Sequence, residues 1–223
     1  YDQQSRGILH IFRDDRELSH GASLATAMSE MGCELEVLDG AGCAALEPAL
    51  APARDRIVGG VHSPGDISGD AYKYTTRLAQ LCAEMGVVFR LDTTIRRISN
   101  MAGRVTGVMT EKGMFTADRY VVALGSYSPL YLRPLGIKIP VYPAKGYSVT
   151  LPVTNEAKAP TMAITDDTHK LVYSRLGDRL RVAGTAEFDR YNLDINPVRA
   201  EAVLRGAMAL FPEAGEEARS EER

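Results

Sequence analysis

The chain has 223 residues, 45% apolar and 25% charged, with 26 Lys and Arg against 29 Asp and Glu. These are the proportions of a globular protein of one or two domains, and a formal charge of -3 with no local run of Lys or Arg excludes the basic footprint of a phosphate-backbone binder. No segment reaches the roughly 18–20 consecutive apolar residues of a membrane-spanning helix, and Tyr1 to Arg6 lacks the basic start and apolar stretch of a signal peptide.

Ile8 to Phe12 is a short apolar segment with the character of a strand, followed by Leu18, Leu24, Ala25, Met28 and Met31 at helical intervals, with Gly32 as the stop. A strand over Glu34 to Leu38, a turn of helix near Ala44 to Leu46 ended by Pro48, and a strand over Ile57 to His62 complete a β-α-β succession. Ser68 is the expected N-cap of the next helix, with Asp70 in its first turn. Tyr74, Leu78, Leu81, Cys82 and Met85 share one face of it, and Gly86 ends it.

Val87 to Leu91 reads as a buried strand. Thr94 to Ser99, Arg104 to Glu111 and Met114 to Phe115 read as further strands, and Tyr120 to Leu124 as a central parallel strand. Prolines 129, 134, 140 and 143 then punctuate a short helix and a turn. Strands are expected over Tyr147 to Leu151, Thr161 to Thr165, Lys170 to Arg175 and Leu180 to Thr185, with Gly177-Asp178 as a hairpin turn. The last helix, Pro197 to Phe211, opens with Pro at the first helical position and carries Val198, Ala202, Leu204 or Arg205, Met208 and Phe211 along one face. Glu213 to Arg223, with five Glu and two Arg, reads as a solvated acidic tail.

The self-contained catalytic motifs are missing. Gly125-Ser126-Tyr127-Ser128 follows an apolar strand but has Pro129 where a nucleophile elbow needs its second Gly, and neither Gly-x-Gly-x-x-Gly nor a Walker A sequence occurs. Cys33, Cys43 and Cys82 form no CxxC pair and His10, His20, His62 and His169 show no metal-ligand spacing. A reducing compartment and no structural metal are expected. His10 and His62, among apolar neighbours, read as core or edge residues.

The order of segments is the informative feature. Ser63-Pro64-Gly65-Asp66 leads to Ser68-Gly69-Asp70 and its helix, then to Gly86-Val87-Val88-Phe89-Arg90, to Gly103-Arg104-Val105-Thr106-Gly107-Val108, and to Ala117-Asp118-Arg119-Tyr120-Val121-Val122-Ala123-Leu124-Gly125-Ser126. This arrangement resembles the middle of flavoproteins of the D-amino acid oxidase superfamily. With Pro140-Val141-Tyr142-Pro143-Ala144-Lys145-Gly146-Tyr147-Ser148, the opening Arg6 to Phe12 and Leu46-Glu47-Pro48-Ala49-Leu50, it is similar to the small subunits of the bacterial D-amino acid dehydrogenases over Arg6 to Pro212.

The resemblance implies a mixed α/β fold: an antiparallel-rich substrate-binding sheet with helices, and an incomplete Rossmann-like FAD-binding domain. Residues 1–66 and 126–212 would be substrate-binding portions, 67–125 the middle of the FAD-binding domain, and 213–223 the tail. The family's opening Gly-rich phosphate turn and its closing Gly-Leu-Arg-Pro segment are not in this sequence, which implies an internal fragment that holds FAD weakly or not at all. Carried over residue by residue, Thr94 and Ile95 would approach the adenine, and Ala123, Leu124 and Gly125 the ADP part, Gly125 being Gly because a Cβ would collide there; the alternative reading makes Ile95 and Leu124 core and Gly125 a turn.

Lys145, His169, Tyr173 and Arg175 are the candidates to face an amino acid substrate. The implied reaction is FAD-dependent oxidation of a D-amino acid to a 2-oxo acid and ammonia, with electrons passed to a quinone or other carrier. No protein acid/base pair is required, because the cofactor takes the hydride. The implied location is cytoplasmic, peripheral on the cytoplasmic face of the inner membrane. A glycine or sarcosine oxidase-like amine oxidase, and for the isolated fragment a non-catalytic ligand-binding module, remain open.

Overall fold

The computed structural model describes residues 2–215. The chain is a mixed α/β protein of two compact units. The first comprises the described parts of Tyr1–Arg77, Gly146–Ala186 and Asp194–Arg223, and the second Leu78–Lys145 and Glu187–Leu193.

The first unit begins with β1 (Ile8–Phe12) and α1 (Asp15–Glu30). Asp14 caps α1, its carboxylate accepting from the Arg16 and Glu17 amides at 3.0 and 3.1 Å, and Gly32 ends the turn at a φ of +94°. Then come β2 (Glu36–Asp39), α2 (Gly40–Leu46) and β3 (Gly59–Ser63). As expected, α2 ends before Pro48, with Glu47 extended as its C-cap. Pro48 then opens a separate 3₁₀ stretch, Pro48–Arg56, because its missing N–H is no loss at a first helical position.

The sheet of this unit has seven strands. It is completed by β7 (Lys145–Pro152), β8 (Ala163–Asp166), β9 (Leu171–Leu176) and β10 (Arg179–Glu187), in the order β2-β3-β1-β8-β9-β10-β7. The β-α-β succession at the start is not a parallel unit, since β3 runs antiparallel to β1, with His10 opposite Val61. The parallel neighbour of β1 is the distant β8, with His10 opposite Thr165.

One face of this sheet is covered and carries the core. Leu9, Ile164, Tyr173, Val182 and Val149 lie under α5 (Pro197–Leu210), together with Leu50 and Ala53 of the 3₁₀ stretch. The buried face of α5 is Ala200, Val203, Ala207 and Leu210, and not the expected Val198, Ala202, Leu204, Met208 and Phe211, of which only Phe211 is fully buried. Small residues let the helix approach the sheet: at Gly206 a Cβ would run into the Leu171 side chain. Ala214, inside the expected tail, is buried and its carbonyl accepts from the Thr154 amide at 3.1 Å, while positions 216–223 lie outside the described residues.

The helix α3 (Ala71–Glu84) is capped by Asp70 and not by Ser68: the Asp70 carboxylate accepts from the Tyr72 and Lys73 amides at 2.9 and 3.1 Å. A carboxylate one residue from the first turn outcompetes a hydroxyl placed too far back to reach those donors. No α3 residue is buried, so the face shared by Tyr74, Leu78, Leu81 and Cys82 is not part of the core.

In the second unit β4 (Ile95–Met101), β5 (Arg104–Thr110) and β6 (Gly113–Phe115) form an antiparallel meander, followed after Gly125 by α4 (Ser128–Leu132). The expected strands over Val87 to Leu91 and Tyr120 to Leu124 have no regular secondary structure and no sheet pairing, and Val121 is 90% exposed. A strand needs a partner for its amides and carbonyls, and no described strand pairs with either segment.

Candidate functional site

The other face of the seven-stranded sheet is only partly covered. Strand alternation puts Phe12 and His10 of β1 on this face, and α1 lies over it at one side, with Phe12, Ala25 and Val61 packed together. Toward the far edge the face presents Thr165 of β8, Val172 and Ser174 of β9, Arg181 of β10 and Ser148 of β7, none of them buried. Arg181 donates to the Ser148 hydroxyl at 2.9 Å. Beside α1 the open face deepens into a cleft of about 1160 Å³ with apolar walls from Leu24, Met28, Leu35 and Val61 and with His10 among its lining residues.

A polar cluster at the β8–β9 turn contributes Asp167 and Thr168 to the lining of that cleft. Asp166, 1% exposed, receives Arg13 Nε and Nη2 at 3.0 and 2.8 Å, and the His169 ring nitrogen Nδ1 at 3.0 Å. The neighbouring Asp167 holds His10 through Nδ1 at 2.7 Å. Thr168 Oγ1 accepts from the Arg13 amide and donates to Glu17 of α1. The β8–β9 turn is thus bound to both β1 and α1. Sequence reasoning placed His10 in a core or edge; its partner lies 157 residues away, and only the parallel pairing of β1 with β8 brings the two together.

The four expected substrate residues fall in different places. His169 is in the cluster just described, with its side chain 54% exposed. Lys145 is ion-paired with Glu187 at 3.0 Å, in the second unit. Tyr173 and Arg175 correct the expectation. Tyr173 is 0% exposed on the helix-covered face, its hydroxyl donating to the Gly206 carbonyl at 3.0 Å, and burial, with the Asp166 charge adding, pushes that hydroxyl well above its ordinary pKa. Arg175 is two residues along the same strand and locked to Glu156 at 2.7 Å and to the Gly177 carbonyl. Leu171 and Tyr173 carry the apolar parity of β9, and that signal was available in the sequence.

The five expected cofactor residues all belong to the second unit. The Thr94 amide donates to Glu111 Oε2 at 2.9 Å, and this amide, with the Thr94 side chain, lowers the Glu111 pKa. The Ile95 carbonyl accepts from Tyr131 of α4 at 2.9 Å, and the Leu124 amide donates to Ser128 Oγ at 3.2 Å. Tyr131 and Ser128 therefore tie the start of β4 and the Ala123 to Gly125 turn to the same short helix. Gly125 has a φ of +53° and open space where a Cβ would sit. Glycine is needed there for its left-handed backbone and not to avoid a collision within the chain. These residues fit one edge of a dinucleotide site; the Gly-x-Gly-x-x-Gly sequence of the usual pyrophosphate cradle is not found among the described residues.

Comparisons with known proteins identify the family. The family model described as FAD dependent oxidoreductase matches residues 1–222. Curated relatives include a D-amino acid dehydrogenase of Paramagnetospirillum magneticum, 49% identical over 99% of this chain and 52% of the relative, and one of Dechloromonas aromatica, 48% identical over 95% of this chain and 52% of the relative. The chain spans about half the length of the curated relatives it matches. Among solved structures, glycine oxidase from Bacillus cereus is similar with a TM-score of 0.84 at 25% identity, covering 97% of this chain and 59% of that one. An L-alpha-glycerophosphate oxidase from Mycoplasma pneumoniae with FAD bound shares the fold, with a TM-score of 0.78 at 17% identity, over 95% of this chain and 58% of that one. By the match over nearly its whole length, the chain belongs to the FAD dependent oxidoreductase family.

Proposed function

We propose that this chain is the substrate-sheet half of an enzyme that oxidatively deaminates D-amino acids to 2-oxo acids and ammonia. The observation that carries the reading is the near half identity, over almost the whole chain, with proteins named D-amino acid dehydrogenase. It is supported by the uncovered polar face of the seven-stranded sheet.

FAD, when bound, supplies the acceptor for the hydride leaving the substrate Cα. The chain's own contribution is positional. Thr94, Ile95, Ala123, Leu124 and Gly125 would hold the adenosine side, with Tyr131 and Ser128 fixing their backbone. The hydroxyls of Thr165, Ser174 and Ser148 and the Arg181 guanidinium offer donors on the open face, where a substrate carboxylate is best received by charge-assisted hydrogen bonds. His169 and Lys145 are kept as substrate-binding candidates. Residues 1–66 and 126–212 are read as substrate-binding portions, and 67–125 as the middle of the FAD-binding domain.

The electrons are proposed to pass to a quinone or other carrier, with the whole protein peripheral on the cytoplasmic face of the inner membrane. No helix among the described residues is long and apolar enough to cross a membrane. The likeness to glycine oxidase favours a second reading, an amine oxidase that uses oxygen directly.

The test is flavin retention after gel filtration, for this chain and for a version lengthened at both ends by its genomic flanks, followed by dye reduction with D-alanine. The lengthened protein is expected to hold FAD and reduce the dye without consuming oxygen. Oxygen consumption would move the amine oxidase reading forward, and absence of flavin from the lengthened protein would overturn both.

A further inference from the structure

The second unit carries two exposed ring pairs that share one short segment. The ring centroids of Tyr127 and Tyr191 are 5.3 Å apart, and those of Tyr142 and Phe188 are 6.3 Å apart. Phe188 and Tyr191 both belong to Glu187–Leu193, which turns back on itself where the Asn192 amide donates to the Asp189 carbonyl at 3.1 Å. That segment is pinned to residues 125–145 at two further points: the Tyr191 hydroxyl donates to the Ser126 carbonyl at 2.8 Å, and Glu187 pairs with Lys145. From Tyr127, Leu130 and Arg133 follow at successive three-residue steps of the helical run 125–135. Tyr127, Leu130, Tyr142 and Tyr191 are exposed, as are Phe188 at 72% and Leu193 at 77%.

The charge around these side chains has one sign. Residues 125–145 and 187–193 hold four cations and two carboxylates, in a chain of formal charge -3. Glu187 is engaged by Lys145, and Asp189 accepts from the Asn192 side chain at 2.7 Å. Arg133, Lys138 and Arg190 are exposed and have no ion-pair partner among the described residues. A contiguous exposed apolar patch marks a contact surface, and the backbone here is not built to receive a strand. The Tyr127 amide donates to the Leu124 carbonyl, and the Gly136 and Ile137 amides to the Arg133 and Leu132 carbonyls, so these turns satisfy themselves. Further polypeptide is better matched to Val87 to Leu91 and Tyr120 to Leu124, which are apolar and unpaired. Amphipathic rings beside unpaired cations fit the boundary between acyl chains and anionic headgroups, where the rings take the interfacial depth and the cations meet a negative surface.

We propose that this surface of the second unit docks on an anionic lipid bilayer, with Phe188 and Leu193 entering the boundary layer and Arg133, Lys138 and Arg190 donating to lipid phosphates. The proposal rests on the reading of the whole protein as peripheral at a membrane, and deepens it by assigning the contact to named residues.

The test is co-sedimentation of the lengthened, flavin-loaded protein with vesicles of equal parts phosphatidylglycerol and phosphatidylethanolamine, and with phosphatidylcholine vesicles as the neutral control. Hydroxyl-radical footprinting of Tyr142 and Phe188 accompanies it. The protein is expected to bind the anionic vesicles, less tightly as salt is raised, and both rings should become protected there. The triple variant Arg133→Gln, Lys138→Gln and Arg190→Gln should weaken binding on the order of a hundredfold, at roughly a factor of five per cation. Phe188→Ser with Leu193→Ser should weaken it about tenfold or more. All five side chains are exposed, and an unchanged urea midpoint checks the fold of each variant. Vesicle binding that neither variant weakens would overturn the inference and leave the membrane reading in place. Rings already protected in the lengthened protein before vesicles are added would do the same, because the rest of the protein would then cover this surface. No binding to anionic vesicles would overturn both. Dye reduction with D-alanine, measured without vesicles, reports on the enzyme reading separately.

Discussion

Val172 and Tyr173 are adjacent on β9 and serve opposite faces of the sheet: Val172 is 41% exposed on the open face, while Tyr173 is sealed beneath α5, its ring 5.3 Å from that of Phe211 in an edge-to-face contact. The alternation divides the strand's work. Tyr173 anchors the helix that backs the sheet, and any ligand on the open face meets Val172 and Ser174.

Tyr173→Phe keeps the ring contact and removes the hydroxyl that donates to the Gly206 carbonyl. The carbonyl retains its place in α5, so the expected loss is about 1 kcal/mol, read as a lower urea midpoint at unchanged slope. In the flavin-loaded, lengthened protein the same substitution should leave KM for D-alanine unchanged. A rise in KM without loss of stability would put Tyr173 at the substrate after all.

Glu47 is 1% exposed and is the hub of a buried polar knot: its carboxylate accepts from the Thr161 amide at 2.6 Å, the Thr161 hydroxyl at 2.9 Å, and the Met162 and Ala49 amides at 3.2 Å. It joins the 3₁₀ stretch to the lead-in of β8, across 114 residues of sequence. Glu47→Ala strands these donors in the core, at a cost of about 3 kcal/mol or more. Glu47→Gln keeps the shape but has one acceptor oxygen instead of two and should lose somewhat less. A midpoint for Glu47→Ala within error of the parent would show that water satisfies these donors instead.

The elements of the first unit were legible because each carries its own local signal: Asp14 and Gly32 bound α1, Pro197 starts α5, and Gly177-Asp178 joins β9 to β10. Val87 to Leu91 and Tyr120 to Leu124 were misread for a physical reason. An apolar run states that a segment is suited to burial, whereas a strand is a property of a pair. In the candidate site, the apolar period of Leu171 and Tyr173 in β9 assigns Tyr173 to the covered face, and that period, more than the chemistry of Tyr173 and Arg175 as groups, decides which side chains face outward. The His10–Asp167 contact was beyond local reading altogether, since it depends on a parallel pairing between distant strands.

Asp70 makes the stability of α3 depend on pH. Hydrogen bonds from the Lys73 and Tyr72 amides, with smaller help from the Arg179 and Lys73 charges, hold its folded pKa below the usual carboxylate value. A depressed pKa means that the stabilisation is fully present above the unfolded value, near 3.9, and is lost as pH falls through the folded one. Asp70→Ala should therefore lower stability by about 1 kcal/mol at neutral pH, with the gap between parent and variant closing below roughly pH 3. A gap that stays constant down to pH 2.5 would show that packing, and not the ionised cap, is what Asp70 supplies.

The three cysteines, all free, should separate by reactivity. Cys33 is exposed at the end of α1, Cys82 is half-buried on α3, and Cys43 is fully buried on α2. Burial, reinforced by the nearby Asp39 charge, pushes the Cys43 thiol up to about 11. The thiolate is the reacting species, so at pH 8 Cys43 is disfavoured twice, by access and by ionisation. Timed alkylation with iodoacetamide, read by peptide mass spectrometry, should modify Cys33 first, Cys82 more slowly, and Cys43 only once the chain is unfolded in denaturant. The Glu47→Ala variant adds a second reading. If the Glu47 knot holds α2 and the 3₁₀ stretch in place, its removal should open Cys43, four residues upstream, to alkylation while leaving the Cys33 rate unchanged. Protection of Cys43 that survives the variant would mean that α2 is held by the apolar contacts of Leu50 and Ala53 alone.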